Sequence, residues 1–231
     1  MRAYDPSQPL IFTHIPKCAG SSFVRLLRQW FGTGYHKLNQ DETRDIELPR
    51  VATQDAAGNW LPDVRCIHGH FNHGRRYGLP YYYPEVSQYI TVLRDPFDIV
   101  VSMYFFFKKR SLAGEFLFRG RPVDIREHYP SVEYYVRDYP YWLYDHWPQD
   151  VNLTNYCRKL SEHFVYIGVF EDMPRSIERL AGILGKRPIE LPRVNASEYD
   201  EPVPTHLRDR FHADYPLLTK TYEFALDHYR N

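Results

Sequence analysis

"IFTHIPKCAGSSF", residues 11–23, is the stretch that decides the fold. Leu10 to Ile15 reads as a short buried strand, and the apolar run stops at Pro16. Lys17 follows, then the small residues Cys18, Ala19 and Gly20 and the hydroxyls of Ser21 and Ser22. From Ser22 to Phe31, the apolar residues Phe23, Leu26, Leu27, Trp30 and Phe31 recur on one face of a helical period. Gly32 and Gly34 then supply a stop. A strand, a tight small-residue turn and a helix start together make an anion site. The first helical N–H groups have no intrahelical partners, and the helix dipole adds partial positive charge. Small residues let the backbone wrap a phosphate, and Lys17 adds a full charge. An ordinary strand-to-helix turn with a solvated lysine reads equally well on this segment alone, because the nucleotide-hydrolase pattern G-x-x-x-x-G-K-[ST] is absent.

The same rhythm continues outward. "VRCIHGHF" (64–71) reads as a second strand, and "QYITVL" (88–93) as a clearer, β-branched one. The latter runs into Asp95-Pro96, an N-cap followed by proline at the first helical position, and the helix continues through "FDIVVSMYFFFKK". "HFVYIGVF" (163–170) is another buried strand; Pro174 to Leu184 is a helix closed by Gly185, and Tyr215 to Tyr229 a last helix. Residues 37–63 look like a polar surface excursion, and 112–150, rich in Tyr, Pro and Trp, resists assignment. Alternating strands and helices predict one α/β domain over residues 1–231, with a central, mostly parallel sheet flanked by helices in three layers.

Bulk properties exclude several classes. Lys+Arg and Asp+Glu are both 29, so no basic excess points to nucleic acid. The chain is 43% hydrophobic and 25% charged, as soluble globular proteins are. Cys18, Cys66 and Cys157 show no close pairing, which predicts reduced thiols. No apolar run reaches the roughly 18 residues of a membrane span, and "MRAYDPSQPL" is no signal peptide, so the expected location is cytoplasmic.

The lysine-before-glycine order gives the opening stretch its identity. "HIPKCAGSSF" resembles the 5′-phosphosulfate loop of sulfotransferases that use 3′-phosphoadenosine 5′-phosphosulfate (PAPS), most of all the Golgi carbohydrate type, whose usual form is Pro-Lys-Thr-Gly-Gly-Thr-Ser-Phe. Cys18, Ala19 and Ser21 depart from that form, and Cys18 does not replace a threonine hydroxyl well. "ITVLRDPFDIVVSMYFF" is similar to the same family's 3′-phosphate motif, an arginine ending a strand and a serine eight residues on, here Arg94 and Ser102. Apart from any family, an arginine at a strand's C-terminal edge stands where open α/β sheets bind ligands, and its fork suits a phosphate. Arg94 pairing with Asp95 and Ser102 bonding back within its helix are the alternatives. The resemblance implies a P-loop-like fold and PAPS as co-substrate, held by Lys17, Cys18, Ala19, Gly20, Ser21, Ser22, Arg94 and Ser102. It reaches, more weakly, "YIGVFEDMPRSIERLAGILG" and "DYPLLTKTYEFALDHY".

"CIHGHFNHG" places His68, His70 and His73 within six residues. In the resembling uronosyl 2-O-sulfotransferases, a His-Gly-His segment supplies the catalytic base at its second histidine, which implies His70 as base with His68 in support. An acceptor hydroxyl needs such a group, and a neutral imidazole takes its proton well. Catalytic Lys17 would act on the leaving phosphate. The rival is a zinc hydrolase: H-x-H-x-x-H also resembles the metallo-β-lactamase-fold signature, with Asn72 where a ligand carboxylate belongs. A non-catalytic nucleotide-binding module is a further alternative. The PAPS scheme requires no metal. The tyrosine-rich stretches, with Lys108, Lys109, Arg110 and Arg119, read either as an acceptor cleft for a carbohydrate or as half-buried packing.

Overall fold

The computed structural model describes residues 1–38, 50–118, 121–138, 143–191 and 199–230. Its strands are β1 (Leu10–Thr13), β2 (Tyr35–Lys37), β3 (Cys66–Gly69), β4 (Tyr89–Leu93), a short ladder of β5 (Leu117–Phe118) with β6 (Arg121–Pro122), and β7 (Phe164–Val169). The helices are α1 (Gly20–Phe31), α2 (Pro96–Leu112), α3 (Ile125–His128), α4 (Val132–Arg137), α5 (Tyr156–His163), α6 (Met173–Leu184), α7 (His206–Asp214) and α8 (Pro216–Arg230).

Five strands form one parallel sheet in the order β2-β3-β1-β4-β7. Every residue of β1, β3, β4 and β7 is buried, as continuous apolar strands are when helices cover both faces. Edge strand β2 is only partly buried, and its sequence Tyr-His-Lys carries no strand pattern. It lies at the start of what reads as a surface excursion, whose residues 39–49 fall outside the described residues. From central β1 the chain builds β2 and β3 on one side and β4 and β7 on the other. Sheets with such a reversal bind ligands beyond the carboxyl ends of the strands that flank it, here β1 and β4.

The expected helices form where their signals stand. α1 buries Phe23, Leu26, Leu27 and Trp30, and Gly32 follows it at φ 55°. α2 opens on Pro96, with the Asp95 carboxylate accepting from the Phe97 N–H at 2.9 Å. Its segment from Ile99 to Phe105 is buried all round because it packs against α3, α4, α7 and α8 together. α6 ends at Gly185, φ 62°. The unassigned stretch 112–150 holds β5, β6, α3 and α4, with residues 119–120 and 139–142 outside the described ones. Among the described residues no helix is long and apolar enough to cross a membrane.

Candidate active site

The sheet delivers three predicted segments to one edge, from the adjacent strands β3, β1 and β4. Phe12 pairs with His68 and Thr13 with Gly69 on one side, and Phe12 with Ile90 on the other. His14 continues the ladder, its N–H donating to the Gly69 carbonyl at 2.8 Å, and Thr91 Oγ1 donates to the Thr13 carbonyl at 2.8 Å. The chain then turns with Lys17 at φ 65° and Ala19 at φ 60°. Left-handed backbone at non-glycine residues costs on the order of 1 kcal/mol each, and such strain gathers at ligand clamps. Left-handed residues in a turn are the geometry from which successive peptide N–H groups build an anion-binding concavity. α1 then begins with no side-chain cap and no acidic residue in its first turn, so its positive end is open to an anion.

Lys17 and Arg94 face this turn as half-buried cations. The Lys17 ammonium lies over the Phe106 ring at 4.4 Å, and the Arg94 guanidinium over Phe170 at 4.8 Å. Among the described residues neither forms an ion pair with a carboxylate. Burial, and then the charge of Arg94, push the Lys17 pKa below its ordinary value; a bound anion beside the ammonium would favour the charged form and offset them. Asp95 does not occupy Arg94, because its carboxylate serves the α2 cap and the Arg208 guanidinium. Cys18 is 1% exposed, with burial pushing its thiol up to about 12, so only its backbone can meet a phosphate. Ser21 is exposed and Ser22 half-buried at the helix start. Ser102, two turns into α2, is 1% exposed and stands behind the site's surface.

Across the turn, His70 Nδ1 lies 2.9 Å from the His14 carbonyl oxygen. A carbonyl only accepts, so Nδ1 carries the proton and Nε2 the lone pair. The His70 ring stacks on the His14 ring with centroids 4.1 Å apart. His68 is 1% exposed; burial, and then the nearby His70, Lys37 and Arg28 charges, bring its pKa down to about 3, so it stays neutral. Its Nδ1 lies 2.6 Å from the Tyr35 hydroxyl, whose own pKa burial raises, so the hydroxyl donates. The His68 ring meets the His14 ring edge-on, centroids 5.1 Å apart. His73 turns away, its Nε2 donating to the Trp147 carbonyl at 2.8 Å. Among the described residues no three His, Cys, Asp or Glu side chains are placed to hold a metal ion.

His14 is the site residue that sequence reading missed. Burial, and then neighbouring His70 and His68, push its pKa well below the usual imidazole value. An added Cβ on Gly20 would stand 1.6 Å from His14 Nε2, so the loop glycine and the ring interlock. Its signal was a polar residue ending an apolar strand within the quoted stretch. Two cations of the expected acceptor face are engaged in ion pairs. Lys108 pairs with Asp200 at 3.0 Å and Arg110 with Glu115 at 3.9 Å, while Arg119 lies outside the described residues. Many aromatic rings pack on one another, as Tyr104 does on Tyr135.

The sequence profile described as "Sulfotransferase family" matches residues 3–216. No curated protein matches the chain. Among solved structures, mouse sulfotransferase SULT7A1 complexed with PAP is similar at 13% identity and a TM-score of 0.41, over 96% of this chain and 74% of that one.

Proposed function

The chain belongs to the sulfotransferase family, enzymes that take a sulfuryl group from PAPS, and from that premise we propose that residues 1–231 act as a single catalytic domain sulfating a hydroxyl on a carbohydrate or glycoconjugate with His70 as base. The observation that carries this reading is the pairing of two half-buried cations, Lys17 and Arg94, with an uncapped helix start and no carboxylate partner among the described residues. A site built that way is incomplete without an anion, and PAPS brings phosphates at both ends of its ribose.

In the reaction, the acceptor oxygen attacks sulfur while the bond from sulfur to the 5′-phosphate oxygen breaks in line. The hydroxyl proton passes to His70 Nε2, and adenosine 3′,5′-bisphosphate (PAP) leaves. Lys17 and the N–H groups at the start of α1 counter charge growing on the leaving phosphate; one such donor is worth about 10²–10³ in rate. A positioned base supplies about 10²–10⁴. His14 assists through its carbonyl, which keeps the lone pair of His70 on Nε2. His68, buried against the His14 ring, supports without reaching the acceptor. Arg94 fits the 3′-phosphate as a fork, and Ser102 would reach it only after a small opening of the α2 surface. The unpaired cysteines, two of them buried, support a reducing compartment such as the cytoplasm.

Incubation with ³⁵S-labelled PAPS and separate pools of glycans, phenols and aliphatic alcohols tests the acceptor. Label should enter the glycan pool. Transfer confined to phenols or simple alcohols would refute the carbohydrate assignment.

A further inference from the structure

The first turn of α2 poses an electrostatic problem. Asp95 and Asp98 both stand there, directly after Arg94, and Glu171 joins them by accepting the Asp95 N–H at 2.9 Å. Acidic residues suit a helix N-terminus, but next to an anion site they repel the ligand and compete for its arginine. One residue of α7 resolves the conflict. Arg208 Nη1 lies 2.5 Å from Asp95 Oδ2, and its Nη2 lies 2.5 Å from Asp98 Oδ1, so a single guanidinium spans both carboxylates. Its plane rests on the Phe97 ring at 4.7 Å, and His212, one turn on, brings Nε2 to 3.4 Å from Asp95 Oδ1.

We propose that Arg208 is a positioning residue for nucleotide binding: by neutralising Asp95 and Asp98 it leaves Arg94 available to the phosphate of PAP or PAPS. The inference rests on the reading that Arg94 holds phosphate. Arg208 touches no part of the nucleotide in this scheme and acts only through the charge it cancels. Without it, the carboxylates of Asp95 and Asp98 face Arg94 uncompensated. The guanidinium then turns to one of them, and the net charge beside the anion site falls by one.

Calorimetric titration with PAP, which needs no acceptor, tests this. Arg208→Gln removes the charge and leaves a shorter polar side chain without the fork, and should weaken PAP about tenfold, the scale of one partly screened charge. Removing one carboxylate as well, in Arg208→Gln/Asp98→Asn, should restore affinity to within about twofold or threefold. Arg208→Lys, which keeps charge and loses the fork, should stay near wild type and serves if the glutamine variant fails to fold. Unchanged affinity in Arg208→Gln overturns the proposal, and so does a double variant as weak as the single one. A lysine variant as weak as the glutamine one overturns it too. Arg94→Ala separates the two layers: if it binds PAP normally, the phosphate assignment of Arg94 is what fails.

Discussion

Gly20 has no room for a side chain where the turn before α1 meets the His14 ring. A methyl there would meet the His14 ring at 1.6 Å, and displacing that ring disturbs its stacking on His70. Gly20→Ala should therefore cost more than tenfold in PAP affinity and lower the melting temperature, as overpacking of about 1–3 kcal/mol does. Calorimetry and a thermal melt check both, and a Gly20→Ala protein that binds PAP like wild type would contradict the interlock. Lys17 and Arg94 were legible in the sequence because their signals are local, a small-residue turn and a strand end. His14 was not. Its importance comes from the pairing of β1 with β3, which brings residue 14 beside residue 70. His73 parts from the other two for the same reason: close in sequence, it lies past the end of β3 and bonds the Trp147 carbonyl.

Elements whose residues carry their own instructions formed where expected. α6 is a clear case, with Pro174 near its start and Gly185 past its end. Within it, Gly182 is exposed, and a Cβ added there meets nothing within 4 Å. Gly182→Ala should then stabilise the protein by about 0.5–1 kcal/mol, raising the melting temperature by about 1–4 °C. A melt that falls instead would mean that α6 is not the regular helix described. β2 stayed hidden because a three-residue edge strand buries too little to need an apolar pattern. α7 was silent for a related reason. It buries only Leu207 and Phe211, so its sequence reads as polar, although it supplies the residue that balances charge at the start of α2.

The whole molecule gathers its unusual histidines under one crevice, and that has a consequence for stability. His14 and His68 are held neutral by burial, His68 down to about 3. Their folded pKa values lie below the free value of about 6.5, so below that pH the unfolded chain binds protons that the folded one refuses. Stability is thus full above about pH 6.5 and falls toward pH 3, by up to about 1.4 kcal/mol per pH unit for each histidine. Asp95 adds a separate loss only in stronger acid. Burial alone would raise its pKa, but His212 and Arg208 hold it below the usual 3.8, so its contribution is present above that value and lost beneath it. Urea unfolding should give a stability about 2–4 kcal/mol lower at pH 5.0 than at pH 7.5; equal or higher stability at pH 5.0 would contradict the buried neutral pair. The parallel sheet and its crevice were legible from alternating motifs, while the acceptor side was not, because its aromatic residues pack among themselves under loops without a repeating pattern. The proposed reaction divides the labour, with donor handling at Lys17 and Arg94 and acceptor activation at His70. The most direct test is to measure, on His70→Ala, both PAP affinity by calorimetry and turnover of labelled PAPS with the acceptor pool that wild type sulfates. Affinity should stay within about twofold while turnover falls by about 10²-fold or more; near-normal turnover, or a loss of PAP affinity matching the loss of rate, would contradict it.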